Sequence, residues 1–283
     1  MKKISLILCT ILSCIALNAQ TYNASKKCFP LRDITKSASA FKAGEKLVFA
    51  VHYSWGPINS DVAKATLSCD STAINGRPCY HVRMYGKTPK FYDMFFRLRE
   101  DFQGWFTMDT QKPLRFTRDT HEGNYDCTNK FVYNWNTKKI NADLYSSSKG
   151  HRSIQIPLTD CVYDVPTLLY VCRNMDFSKV HTGSKVPLTF AIDDDVYTIY
   201  LTRIRDEQKR VKGLGLVNTI KFSASVVAGE VFESQDDKIY MWFTNDDNRI
   251  PVCFEFVMKL GAISGRLDSY KGLNHPFKSL VSN

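Results

Sequence analysis

Residues 238–255 read KIYMWFTNDDNRIPVCFE, and their pattern decides the fold class. Ile239, Met241 and Phe243 alternate with Tyr240, Trp242 and Thr244, the period-two signature of a strand. Asn245, Asp246, Asp247 and Asn248 then supply side chains that hydrogen-bond their own backbone and tolerate turn dihedrals. Residues 250–256 resume the strand, and Pro251 suits a position that donates no ladder bond. This is a β-hairpin. Asp246, Asp247 and Asn248 are expected to hold the turn, with Arg249 paired to a neighbouring carboxylate or carbonyl.

Upstream and downstream the same alternation recurs. Leu47, Phe49, Val51, Tyr53 and Trp55 share one face of a strand that Gly56-Pro57 ends. A second strand is expected over 62–68, and Asn75-Gly76 is a hairpin turn. Counting back from that turn sets Cys79 opposite Thr72, so a Cys69–Cys79 bridge is disfavoured. Residues 91–98 read as a short helical turn entering a strand. Strands continue from 104 to 145, broken near 111–113, 121–124 and 136–138, and 149–158 reads as a polar connection. One helix is clear. Asp164 caps it, Pro166 sits in its first turn, Val165, Leu168, Leu169 and Cys172 form its stripe, and Arg173-Asn174 end it. Strands return at 186–192, 196–204, 216–224 and 262–270, with Asp193-Asp194-Asp195 as an acidic turn, 206–212 charged and exposed, and 225–237 a loop.

More than ten short strands with one principal helix near 164–174 imply a mainly β protein. The expected fold is a set of large curved antiparallel sheets, an open barrel or sandwich-like. Its expected organisation is a signal peptide over 1–19, a lead-in over 20–43, one β-rich domain over 44–273 in two sheet halves, and a tail over 274–283.

The N-terminus sets the address. Met1-Lys2-Lys3, an apolar run over 4–17 and Asn18-Ala19-Gln20 compose a secretory signal cleaved after Ala19. Residues 11–14, ILSC, offer the rival of lipidation at Cys14, but Leu12 fits poorly and the apolar run continues past the cysteine. No stretch reaches the length of a transmembrane helix. The 283 residues carry 44% hydrophobic and 13% aromatic content, which rules out a disordered chain. Cleavage removes Lys2 and Lys3, taking the formal charge from +10 to +8. That charge suits contact with envelope polyanions as well as plain solubility. No motif indicates nucleic acid. Seven cysteines remain after cleavage: Cys28, Cys69, Cys79, Cys127, Cys161, Cys172 and Cys253. The odd number leaves at least one unpaired, and no CxxC spacing suggests a metal.

Catalytic signals are sparse. The acidic turns lack the alternating spacing of a calcium loop, so neither metal nor cofactor is expected. His121, Glu122 and Tyr125 sit close in sequence, but neighbours on a hairpin tip point different ways. GxSxG, HExxH and phosphate-binding glycine loops do not occur. Glu100, Asp101 and Glu122 are the carboxylates a glycan hydrolase would use. The aromatic residues are dense, and Tyr53, Trp55, Trp105, Trp135 and Trp242 are the candidates for a ligand-stacking surface. Most such rings fill cores, so an exposed cluster is the exception to look for.

Several of these marks together resemble a family. They are Gly44-Glu45 with Leu47, Phe49 and Tyr53, Phe95-Phe96 with Asp101, and Glu122-Gly123-Asn124-Tyr125. The helix 164–173, Gly183, and Trp242 with Asp246 to Val252 continue the series. In this order they resemble exported envelope proteins of Gram-negative bacteria grouped as domain-of-unknown-function family 3108, over most of residues 41–272. Ser60-Asp61 departs from the glycine expected before the second strand. The resemblance implies an antiparallel β architecture and export, to the periplasm or the outer membrane. It lends no catalytic residue. The function expected is non-enzymatic binding of an amphipathic (lipid) or glycan ligand, with envelope assembly or glycan hydrolysis as alternatives.

Overall fold

The computed structural model describes residues 28–34, 38–94, 96–226, 238–258 and 261–281. The expected signal peptide, Cys14, Phe95 and most of the 225–237 loop lie outside the described residues. The first half of the chain contributes β1 (Glu45–Trp55), β2 (Ile58–Ile74), β3 (Arg77–Lys87), helical turn α1 (Lys90–Asp93) and β4 (Leu98–Thr107). It continues with β5 (Pro113–Glu122), β6 (Tyr125–Asn134), β7 (Lys139–Ser146) and β8 (Gly150–Pro157). Then come β9 (Val162–Tyr163), helix α2 (Val165–Val171), β10 (Lys185–Ile192) and β11 (Asp195–Val211). The series closes with β12 (Gly215–Val226), β13 (Lys238–Thr244), β14 (Pro251–Met258) and β15 (Gly261–Lys271).

The strands all join one 15-stranded sheet ordered β8-β7-β6-β5-β4-β3-β2-β1-β15-β14-β13-β12-β11-β10-β9. Sequence neighbours pair as antiparallel hairpins, and β1 meets β15 at the centre. Only β9, at one edge, runs parallel to its partner. The sheet is open, since β8 and β9 are both edges. A sheet of this width curls because strand twist accumulates. The curl brings both halves onto one core: Phe102, Phe116 and Phe131 from one side join Phe190, Phe222 and Phe243 from the other.

Helix α2 lies inside the curl. The Asp164 side chain accepts the Thr167 backbone N–H at 2.9 Å, the N-cap bond expected from sequence. Gly104 on β4 is what lets the helix approach, because a Cβ there would overlap Asp164 and Thr167. Helix residues Pro166, Thr167, Leu168, Tyr170 and Val171 are all buried, so the helix is a plug rather than a half-exposed cover. Phe41, from the stretch before β1, packs edge-on against Tyr170 at 5.0 Å and Tyr80 at 5.2 Å.

Local expectations meet their outcomes here. Asn75 and Gly76 have φ of 52° and 76°, the backbone of a tight hairpin turn, and Cys79 faces Thr72. Residues 149–158 are corrected from connection to edge strand β8, whose polar, largely exposed side chains hide the strand signal. Residues 206–212 are likewise corrected: β11 runs through Val211, and its charged positions face solvent while its backbone pairs with β12. A disulfide joins Cys28 to Cys161, tying the N-terminal stretch to the segment before β9. Cys69, Cys79, Cys127, Cys172 and Cys253 are buried free thiols.

The end where β1 begins is built on a buried ion pair. Arg173 donates to both Glu45 oxygens at 2.6 and 2.8 Å, to the Asn248 carbonyl at 3.0 Å and to the Ala40 carbonyl at 3.2 Å. Asn174 Nδ2 donates to Gln111, and its Oδ1 accepts the Ala40 N–H. The turn after β13 joins this end. Asp246 accepts from Thr244, Asn248 N, Arg249 N and Ser279 N, while Asn248 exchanges bonds with the backbone at 275–276. Asp247 is exposed at the turn. Arg249 corrects its expectation. It takes a left-handed φ of 47° and lays its guanidinium 4.0 Å from the centroid of Phe177. Burial and the nearby Arg32 charge lower its pKa to about 10.

Candidate functional site

The opposite end, where β1 stops and β4 starts, gathers the polar and aromatic groups left unexplained by the core. Its inner face carries the carboxylates. Strand alternation points Arg118, Thr120 and Glu122 of β5 inward, and His121 outward. On β4, Glu100 points inward and Asp101 outward, where Asp101 forks with Arg83 at 2.7 Å. Thr120 donates to Glu100 at 2.6 Å, and Arg118 Nε donates to Thr120 at 2.9 Å. Arg118 also reaches Asp193 at 2.9 Å, as does the Asn129 amide at 2.9 Å.

Asp193 and Asp194 thus form a latch. The β10–β11 turn crosses the gap between the sheet's two edges, with Asp194 meeting Arg152 of β8 at 3.0 Å and Lys149 at 3.5 Å. Asp193 holds a left-handed φ of 52°, which a short Asx side chain tolerates. Burial raises the pKa of the nearby Tyr125 phenol, helped by Cys127, and burial raises that of the Cys127 thiol. That thiol is therefore a poor nucleophile. His121 turns to the surface and contacts Asp126 at 2.6 Å, so the sequence cluster of His121 with Glu122 and Tyr125 is split across the sheet.

The five aromatic candidates do not share one surface. Tyr53 is buried with Val51, Ala63 and Ile263. Trp105 stands on the outer face of β4, stacked on His81 at 4.5 Å. Trp135 caps the β6–β7 turn, donating to the Pro113 carbonyl under Lys112 and Lys138. Trp242 is 2% exposed, donates to Glu207 at 2.6 Å and lies beneath Lys209 and Lys221. Trp55 alone is strongly exposed, at 44%.

Trp55 has company that the sequence did not group with it. β3 stops at Lys87 opposite Lys64, while β2 begins six residues earlier at Ile58. The β1–β2 hairpin therefore projects about 20 Å beyond β3, at ~3.3 Å per residue. Helical turn α1 folds beside the projection, and the Tyr92 hydroxyl meets Ser60 at 2.7 Å. Ser60 pairs with Tyr53 and so shares the face that Trp55 occupies. Beside that anchor Phe91 is 64% exposed and Met94 74%. Lys90 on α1 is exposed, while Lys64 and Lys87 pair with each other on the face opposite Ser60 and Trp55. The local acids are taken: Asp93 by Arg99 at 2.6 Å, and Asp61 by Arg266 at 2.6 Å. These partners hold Asp93 and Asp61 below the usual carboxylate range. Three large apolar side chains are thus exposed at this end, on the hairpin tip and on α1.

The sequence profile of a family of proteins of unknown function, DUF3108, matches residues 48–268. The chain belongs to the DUF3108 family. Its DUF3108 region takes in the curled sheet, helix α2 and the latch, while the Arg173 partner Glu45 falls just before it. No curated protein matches the chain. Among solved structures, a β-barrel-like protein of domain family DUF1849 from Brucella abortus is similar. It shares 9% identity at a TM-score of 0.51, covering 80% of this chain and 96% of that one. That likeness supports the barrel-like fold and nothing finer. A protein named as a lipoprotein from Parabacteroides distasonis shares 9% identity at a TM-score of 0.35, over 87% of this chain and all (100%) of that one. An exported protein with a YmcC-like fold from Bacteroides fragilis shares 8% identity at a TM-score of 0.35, again over 87% and 100%.

Among the described residues no helix is long and apolar enough to cross a membrane. The sheet itself carries its apolar side chains inward, as with Leu98, Phe102 and Phe106 against outward Arg99, Asp101 and Gln103 on β4. A membrane-spanning barrel has the reverse arrangement.

Proposed function

We propose that the protein is a non-enzymatic component of a Gram-negative cell envelope, exported to the periplasm or its outer-membrane face, that binds an amphipathic ligand. The single observation carrying this is the exposure of Trp55 on the projecting hairpin and of Phe91 and Met94 on α1, which the Tyr92–Ser60 bond holds against it. Large apolar groups grouped on a surface mark interaction sites, and the basic balance of the chain favours a ligand with an anionic head. The signal-like N-terminus and the Cys28–Cys161 disulfide support export to an oxidising compartment.

A glycan ligand has one observation in its favour, the stacked His81–Trp105 pair flanked by Gln103 and Asp101 on the outer face. The hydrolase alternative has less support. Glu100 and Glu122 do share an inner face, but Glu100 is 7% exposed and Glu122 5%, beneath Arg118 and the latch. Native mass spectrometry of protein purified from its own host tests the reading. A retained amphiphile, lost when Trp55 and Phe91 are changed to alanine, is the expected result. A retained oligosaccharide indifferent to those changes would contradict it.

A further inference from the structure

The two most deeply buried arginines of the fold are paired, Arg173 with Glu45 at 2.6 Å and Arg118 with Asp193 at 2.9 Å. Arg32 and Arg249 break that pattern. Arg32 Nε and Nη2 and Arg249 Nε are buried and, among the described residues, donate to nothing. Arg203 lies with them. Its Nη1 donates to the Val180 carbonyl at 2.7 Å and its Nη2 to Asp206 at 2.7 Å, but its Nε is again buried without an acceptor. An exposed cation is satisfied by water, whereas a buried donor needs an acceptor of its own. The acids of the adjoining segments do not supply one. Asp176 is bonded to Ser178 and Lys179, Asp246 accepts from Thr244 and from backbone N–H groups, and Asp247 is exposed.

Three separate chain segments bring these guanidiniums together. The stretch that carries Arg32 is bound to 174–176: Arg32 N donates to the Asn174 carbonyl at 2.8 Å, and the Pro30 carbonyl accepts Asp176 N at 2.8 Å. Phe177 follows directly. Arg249 lies 4.0 Å from the centroid of its ring, and Arg203 Nη1 is 3.4 Å from its carbonyl. A ring covers one face of a guanidinium and leaves the edge, where all its donors are, for an oxyanion. The turn that carries Arg249 is held in place, since Asp246 accepts Arg249 N at 3.4 Å and the Asn248 carbonyl accepts Arg173 Nε at 3.0 Å. Arg249 also keeps a left-handed φ of 47°, a costly backbone for a long side chain. Burial, then the Arg32 charge, lower its pKa to about 10; Arg203 adds to this, and Asp247 and Asp246 do not offset it. It is still charged at neutral pH, so like charges are held close without a counterion.

We infer that Arg32, Arg203 and Arg249 form an oxyanion site beside Phe177 that takes a phosphate-sized dianion, either inorganic phosphate or the terminal phosphate of a phosphomonoester. The donors left over are Arg32 Nε and Nη2, Arg203 Nε and Arg249 Nε, and a tetrahedral phosphate has acceptors enough for all of them. Arg32 and Arg249 are the two cations without a carboxylate, so a doubly charged anion balances them where a singly charged phosphodiester does not. The site is separate from the exposed Trp55, Phe91 and Met94 and does not depend on the amphipathic-ligand reading.

Isothermal titration calorimetry tests it, using protein with residues 1–19 removed, the exported form expected from the sequence. Inorganic phosphate, glycerol 3-phosphate and dimethyl phosphate are titrated at about pH 8, where a phosphomonoester is doubly charged, with ionic strength held constant by chloride. Phosphate or glycerol 3-phosphate should bind at least about tenfold more tightly than dimethyl phosphate, and Arg32→Gln and Arg249→Gln should each weaken that binding by about tenfold or more. Binding of phosphate alone identifies the free ion as the ligand, and tighter binding of glycerol 3-phosphate identifies a phosphomonoester. The Arg32 donors bond to nothing, so Arg32→Gln should keep the parent's thermal midpoint in phosphate-free buffer, which separates loss of the site from loss of the fold. Arg77→Gln, at an exposed arginine paired with Asp109, should bind as the parent does. So should Trp55→Ala/Phe91→Ala, so that this inference and the amphipathic-ligand reading fail separately. No binding of either dianion, equal binding of dimethyl phosphate, or binding unaffected by both arginine variants would overturn the inference.

Discussion

The two ends of the curled sheet hold similar residue types and use them in opposite ways. Where β1 begins, Arg173 is stacked on Phe41 and Tyr170, and its donors go to Glu45, Ala40 and Asn248. Where β1 stops, Trp55, Phe91 and Met94 are exposed to solvent. One end joins five separate chain segments through buried polar bonds. The other stabilises little and presents much. Burial of charge without a partner is expensive, so the first arrangement survives only when complete. Exposed rings and lysines cost almost nothing to keep, so the second need not be structural at all.

The largest test of that contrast is at the ion pair. Arg173→Met should destabilise the fold by ~3–5 kcal/mol, because Glu45 is left buried and unpaired. Adding Glu45→Gln should recover part of the loss, measured by urea unfolding of both variants.

A second test uses pH. Burial raises Asp164 to about 7, with the Thr167 bonds opposing. The folded state then holds a proton that the unfolded chain releases above about pH 4. Asp164 therefore stabilises at low pH, and its contribution is lost as pH rises from about 4 to 7, at up to about 1.4 kcal/mol per pH unit. Asp164→Asn keeps an N-cap acceptor. Its stability should lack this decline, so its advantage over the parent should grow from pH 5 to pH 7. A parallel pH dependence in the two proteins would show Asp164 ionised throughout.

The latch is expected to matter less. Asp193→Asn preserves a side chain that tolerates the left-handed turn but removes the charge facing Arg118. A loss of about 2 kcal/mol is expected, with faster amide exchange in β8. Smallest of all, Trp55→Ala/Phe91→Ala/Met94→Ser should change stability by only about 0.5 kcal/mol. A loss of several kcal/mol would mean that this end is structural after all.

Much of this was legible in the chain. Alternation located the hairpin at 238–255, the β1 face and the strands between 104 and 145, because each has one apolar and one polar side. It failed for β8 and the second half of β11, where both faces are largely polar and backbone pairing alone makes the strand. The inward Arg118 could have been found by stepping in twos from Phe116 through Thr120 to Glu122, yet its Asp193 partner is 75 residues away. Arg173 read as a helix stop, and nothing local pointed to Glu45, 128 residues earlier. The exposed cluster was least legible. Whether Phe91 and Met94 are buried depends on β3 stopping six residues short of the β1–β2 turn, a matter of register that no short window contains. Trp55 could be named from sequence, but its neighbours could not.

The most direct test of the division between the two ends is hydrogen exchange followed by mass spectrometry, with and without lysophosphatidylglycerol below its micelle concentration. Protection should rise in residues 54–61 and 88–97, and should stay unchanged in 244–250 and 272–280. Protection centred on the Arg173 end, or spread evenly over the sheet, would contradict the account.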